Sequence, residues 1–169
     1  LFPYLNGEDL NSRSDSSPSR WVIDFGTREE VEAATYELPF RRVRELVRPE
    51  RAKVKIAYRR DNWWRFAAWA PSMRKAITDL SEVLVIALVS KTVMPMRVAS
   101  EQVFSHALGV FASDDYGVQA VLSSSLHRTW AITFGSTLET RVRYTPSDVF
   151  ETFPMPTSTT RLTSAGRVL

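Results

Sequence analysis

The most chemically suggestive spacing in the chain is Glu139, Arg141 and Arg143, three charged side chains at alternating positions. Over Thr137–Thr145 they interleave with Leu138, Thr140, Val142 and Tyr144. A period of two predicts a half-exposed strand. Its i, i+2 and i+4 side chains emerge on one face, roughly 6.5–7 Å apart. Arginine can bridge guanine O6 and N7, and glutamate can accept from cytosine N4. A carboxylate among arginines is a poor choice for attracting phosphate, so it fits selection of a base better than affinity. The same spacing also fits a cross-strand ion-pair ladder on a solvated face.

A second constellation is the segment Arg41 to Lys75, with twelve basic residues against Glu45, Glu50 and Asp61. It carries +9, so the rest of the chain carries −6 of the formal total of +3. Eighteen of the basic residues in the whole chain are arginine and four are lysine. Arginine excess suits planar, bidentate recognition of phosphates and base edges. A block this polarised reads as a surface for a polyanion, or as a solvated basic helix face. It runs into Trp63-Trp64-Arg65-Phe66 and Trp69. Those tryptophans serve either as stacking platforms for bases or as core filling, and core filling is the commoner use of large aromatics.

Other chemistries find no support. No two of the six glycines lie close together, so neither a phosphate loop nor a dinucleotide fingerprint is present. Without cysteine there is no thiolate ligand, thiol nucleophile or disulfide framework. His106 and His127 lack partners at metal-ligand spacing. His127, in Ser125-Leu126-His127-Arg128, reads as a helix-surface histidine, and a triad with Ser124 and Asp148 has no supporting motif. Glu29, Glu30 and Glu32 suit a helix N-terminus.

The elements that position these residues follow from periodicity and punctuation. Residues 1–19, polar with Pro18, read as an arm or loop. Trp21–Phe25 reads as a strand closed by Gly26, and Thr27 with Glu30 forms a capping-box signature for a helix to about Tyr36. Pro39 and Pro49 start helices near 40–48 and 50–58, and a further helix is expected from Pro71 to about Leu80. Val83–Val89 is short and β-branched, hence a buried strand. Val103–Ala112 is a second apolar run. Gln119 to about Thr133 has helical spacing, with Leu126 and Trp130 on the apolar side. The tail from Thr157 is polar.

These readings make an α+β protein: a mixed, largely antiparallel sheet packed with several helices, as a single domain. The expected division is an N-terminal arm at 1–19, a recognition domain at 20–156 and a polar tail at 157–169. With 169 residues, 44% of them hydrophobic, the chain can bury a real core. Its longest apolar stretch, Val83–Val89, is far short of the roughly 20 residues that span a bilayer. No signal peptide is visible, so a cytoplasmic protein without membrane contact is expected. Leu at position 1 points to a piece of a longer chain.

Several segments taken in order resemble one family. They are Tyr4-Leu5-Asn6-Gly7-Glu8-Asp9-Leu10, Arg20–Phe25, Arg48-Pro49-Glu50-Arg51, Trp63-Trp64, Leu122–Trp130, and Arg143-Tyr144-Thr145-Pro146 through Phe153-Pro154-Met155-Pro156. The set resembles the target-recognition domain of adenine-specific type IIG/IIL restriction–modification methyltransferases and related phage-defence enzymes. The resemblance implies a module that reads double-stranded DNA while a catalytic methyltransferase domain of the same chain flips and methylates one adenine at N6. It also implies S-adenosylmethionine in the parent chain, with no cofactor and no catalytic residue in this piece. Family specificity determinants map to Glu139, Arg141 and Arg143, the residues that the alternation selects. Lys53, Lys55, Arg59, Arg60 and Arg65 become the expected DNA-backbone contacts, and no metal site is expected. The alternatives are a non-specific single-stranded DNA or RNA binder and a scaffold domain using the basic face.

Overall fold

The computed structural model describes residues 1–66 and 70–169, so Trp69 lies outside the described residues. The chain opens with β1 (Phe2–Leu5) and α1 (Gly7–Ser12). Asn6 caps α1: its side chain accepts from the N–H of Glu8 at 2.7 Å and of Asp9 at 3.1 Å. Asp9 returns the contact by accepting from the Asn6 N–H at 3.2 Å. This reciprocal cap satisfies otherwise orphaned N–H groups, and it corrects the reading of residues 1–19 as an arm or loop. Burial pushes the Asp9 carboxyl up, but hydrogen bonds from Ser19 and Asn6 outweigh it and hold the group below its ordinary value.

Then come β2 (Arg20–Val22), a left-handed Gly26 at φ 59°, and α2 (Glu30–Ala34). The capping box expected at Thr27 does not form, and α2 starts after an N-cap at Glu29 that has no side-chain cap bond. The carbonyls of Thr27 and Arg28 accept from the Arg65 guanidinium instead. That ties the 27–29 turn in a non-helical course. Helix α3 (Glu37–Leu46) takes Pro39 in its first turn, and α4 (Arg48–Ala52) takes Pro49 there, where a missing N–H costs nothing. The helix expected over 50–58 is divided into α4 and α5 (Ala57–Asp61).

The second half runs α6 (Pro71–Ala76), β3 (Glu82–Ala87), β4 (Val89–Ser90), β5 (Met96–Ala99), β6 (Val103–Phe104) and β7 (Leu108–Phe111). It continues with α7 (Tyr116–Leu122), α8 (Ser125–Phe134), β8 (Ser136–Leu138), β9 (Arg141–Arg143), α9 (Pro146–Val149) and α10 (Thr160–Gly166). The single helix expected from Gln119 is two, because the Ser124 hydroxyl accepts from the His127 N–H and opens a new N-terminus. The break resets the helical phase and leaves Leu126 exposed rather than core-facing. The polar tail contains α10, packed on α7 with Gly166 against the Tyr116 backbone.

The α+β reading holds, with strand pairing largely antiparallel. The chain forms two compact units: residues 1–2 with 21–71, and residues 3–20 with 72–169. In the first, Phe25, Ala33, Phe40, Val43, Trp63 and Trp64 make an aromatic core. In the second, β3 lies between β5 and β7, antiparallel to both. Its alternating side chains feed two cores, Val83, Val85 and Ala87 toward Leu5 and Leu108, and Leu84 and Ile86 toward Leu122 and Val149. Strand β9 pairs with β4 on one side and β8 on the other.

Candidate nucleic-acid interface

Strands β8 and β9 form a hairpin whose register pairs Leu138 with Arg141 and Ser136 with Arg143. The uniform strand expected over Thr137–Thr145 is therefore folded back on itself. Its two-residue loop is Glu139-Thr140, with Glu139 left-handed at φ 57°. Glycine is the usual residue at such a position, and its absence hides the turn in the sequence. Glu139 thus sits on the loop, off the strand face that Arg141 and Arg143 share. The two side chains still meet: Arg141 Nη2 donates to Glu139 Oε2 at 2.7 Å across the loop. Arg143, at the base of β9, is exposed and makes no ion pair among the described residues.

The base of the hairpin is anchored from below. Tyr144, next after Arg143, donates its backbone N–H to the Leu88 carbonyl at 2.8 Å. Its side chain is buried and meets His127 Nε2 at 3.0 Å, while His127 Nδ1 lies 2.7 Å from the Leu122 carbonyl. A carbonyl can only accept, so Nδ1 carries the proton and Nε2 accepts from the Tyr144 hydroxyl. Burial holds the His127 imidazole below its ordinary 6.5 and raises the Tyr144 phenol, so both groups are neutral near pH 7. The surface placement expected for His127 is thus wrong. The ring is fully buried, edge-on to Phe153 at 5.1 Å.

Beside β9 lies a groove of about 540 Å³, in which Arg141 and Arg143 share walls with Asn6, Glu8, Asn11 and His106. Asn11 is held by Val89 and Ser90, with its amide donating to the Val89 carbonyl and its oxygen accepting from the Ser90 hydroxyl. Glu8, Asn11 and His106 are not singled out by spacing. Only the order of the Tyr4–Leu10 segment hints at their neighbourhood.

The five residues expected on a DNA backbone separate by environment. Arg65 is nearly buried and donates to the carbonyls of Thr27 and Arg28, to Glu29 and to Asn62, while its guanidinium covers the Trp64 ring at 5.2 Å. In this structure it is a brace. Lys53 pairs with Glu50 at 2.7 Å and Arg60 with Asp61 at 3.3 Å, both exposed. Lys55 and Arg59 are exposed and have no ion pair among the described residues. Trp63 and Trp64 are core residues, as core filling predicts, with the Trp64 indole donating to the Arg28 carbonyl. Arg48 lies over the Trp63 ring at 5.4 Å.

Among the described residues no group of three His, Cys, Asp or Glu could hold a metal ion. Gly117, Gly135 and Gly166 are each packed against neighbouring atoms of the fold, so these glycines offer no open phosphate cradle. No helix among the described residues is long and apolar enough to cross a membrane.

The family described as "MmeI, target recognition domain" matches residues 12–157. The chain belongs to that family. The fold of this target recognition domain is also found in a solved structure of the type IIL restriction-modification enzyme MmeI in complex with DNA, with a TM-score of 0.73 and 22% identity. The match covers 96% of this chain and 21% of the MmeI chain, so the domain spans about a fifth of that enzyme's length. No curated protein matches.

Proposed function

We propose that this target recognition domain reads a specific double-stranded DNA sequence on behalf of an N6-adenine methyltransferase, and that the β8–β9 hairpin makes the base contacts. Membership of the family carries the reading, and the exposure of the hairpin supports assigning the base contacts to it. A two-stranded ribbon fits the major groove of B-DNA. Arg141 and Arg143 point from one face of β9, and the Glu139 carboxylate fixes the direction of the Arg141 fork. A guanidinium so held presents bidentate donors to guanine O6 and N7, while Glu139 offers an acceptor to cytosine N4.

In this reading the catalytic domain and its S-adenosylmethionine belong to the rest of the parent chain, which works in a bacterial cytoplasm in restriction–modification or phage defence. A single-strand binder stacking bases on Trp63 and Trp64 is disfavoured, because both rings are buried.

The test is methylome sequencing of cells expressing the full parent chain, wild type beside Glu139→Lys/Arg141→Asp. One N6-methyladenine motif that changes at a single base pair supports the reading. Loss of all methylation from a folded variant removes the hairpin from base reading. No methyladenine from folded wild type refutes the adenine-methyltransferase assignment.

A further inference from the structure

Of the five residues expected on the DNA backbone, Lys53, Arg60 and Arg65 are engaged with carboxylates, which leaves Lys55 and Arg59 and room for further contacts. Helix α3 offers a different set. Its core face is Phe40 and Val43, continued by Val47. At about 100° per residue, Arg41 and Arg44 of α3 fall on one adjoining stripe, and Arg48, the first residue of α4, continues it because Val47 between the two helices keeps a helical conformation. All three are exposed. None of them makes an ion pair among the described residues, although Glu37 and Glu45 lie on α3 beside Arg41 and Arg44. Arg48 is propped by the Trp63 ring at 5.4 Å, a contact that leaves its outer edge open.

We propose that the Arg41–Arg44–Arg48 stripe of the first unit grips DNA phosphates. This deepens, and rests on, the target-reading function. From i to i+7 a helix advances roughly 10 Å. Over that distance one DNA strand carries about three phosphates. Three unpaired guanidiniums therefore meet three charges at matching spacing, and arginine's fork suits phosphate oxygens. Lys53 and Arg60, each beside a carboxylate, contribute less because that neighbour offsets the attraction.

The experiment uses the full parent protein, wild type beside Arg41→Gln/Arg44→Gln/Arg48→Gln. Duplexes carrying the methylated motif or a scrambled one are titrated by fluorescence anisotropy from 50 to 200 mM salt. The slope of log K against log salt should fall by about 2.7, at about 0.9 per released counterion. Both duplexes should weaken by the same factor, and the motif methylated in cells should not change. The triple lysine variant, which keeps the charge, should retain most of the slope. If loss of Arg48 unsettles Trp63, the Arg41→Gln/Arg44→Gln pair should still lower the slope by about 1.8. An unchanged slope, or an equal loss from Lys53→Gln/Arg60→Gln, overturns the proposal. Failure of the target-reading function shows separately, as wild type that binds the motif and scrambled duplexes equally.

Discussion

Glu139 and Arg141 form an ion pair of 2.7 Å across a two-residue hairpin loop, and the acidic partner holds a left-handed backbone at φ 57°. A non-glycine residue there costs on the order of 1–2 kcal/mol. A solvent-exposed pair returns no more than about 1 kcal/mol. Stability alone therefore gives no reason for glutamate at this place. What the carboxylate does in the structure is hold the Arg141 guanidinium beside the loop.

Glu139→Gly separates these two effects. Relief of the backbone offsets loss of the ion pair, so the melting temperature should stay within a few degrees of wild type. The carboxylate acceptor is gone and the Arg141 fork is no longer held. Methylome sequencing of the parent chain should then show a motif relaxed or altered at one base pair. A large fall in melting temperature would instead make Glu139 a structural residue.

Arg65 is expected to matter for folding and not for DNA affinity. Arg65→Ala removes the donors to two carbonyls, to Glu29 and to Asn62, and leaves the 27–29 turn without its brace. The cost should be about 2–3 kcal/mol by denaturant titration. Arg65→Lys should recover little of it, since an ammonium cannot reproduce the fork. The salt slope of DNA binding should change by less than one contact's worth. A drop of about 0.9 with unchanged stability would return Arg65 to the backbone set.

Much of the fold was legible where hydrophobicity and punctuation agreed. Pro39 and Pro49 mark helix starts, Val83–Val89 covers most of the central strand, and Trp63 and Trp64 read as core. The failures have specific causes. Alternation continues unbroken through Glu139-Thr140, so a turn made without glycine or asparagine looked like more strand. The Ser123-Ser124-Ser125 run carried a cap inside an apparently continuous helix. His127 was misplaced because that cap resets the phase and turns the ring inward. Arg65 reads as surface charge, since nothing in a sequence says which guanidinium finds four acceptors. At the candidate site the two arginines of β9 were legible. Their groove neighbours Glu8, Asn11 and His106 come from distant segments, and only the tertiary fold assembles them.

The C-terminal tail should be part of the folded unit. A Cβ on Gly166 would overlap the Tyr116 backbone carbonyl where α10 meets α7. Gly166→Ala gains up to about 1 kcal/mol of helix propensity. It should nevertheless lose about 1–3 kcal/mol by overpacking, because the opposing atoms are backbone and cannot rotate away. Hydrogen exchange should show α10 opening more readily, with β3 unaffected. Unchanged protection of α10 would mean that this contact is looser than its geometry.

The buried His127 gives the fold a defined acid sensitivity. Burial holds its imidazole below the ordinary 6.5, so the unfolded chain binds a proton before the folded one does. The stability it supports is complete above pH 6.5 and declines as pH falls below that value, levelling off under the folded pKa. The steepest slope one such group can give is about 1.4 kcal/mol per pH unit. Protonation also places an N–H on Nε2, where the Tyr144 hydroxyl must stop donating and turn to accept. Tyr144→Phe should cost about 1–2 kcal/mol at pH 7 by removing the donor to a buried acceptor. His127→Leu removes the titration itself, and should flatten the stability profile between pH 6.5 and 5 whatever its cost at neutral pH. Urea titrations of the folded parent chain across that window measure the slope directly. If the leucine variant keeps the wild-type dependence, another group is responsible and His127 is protonated alike in both states.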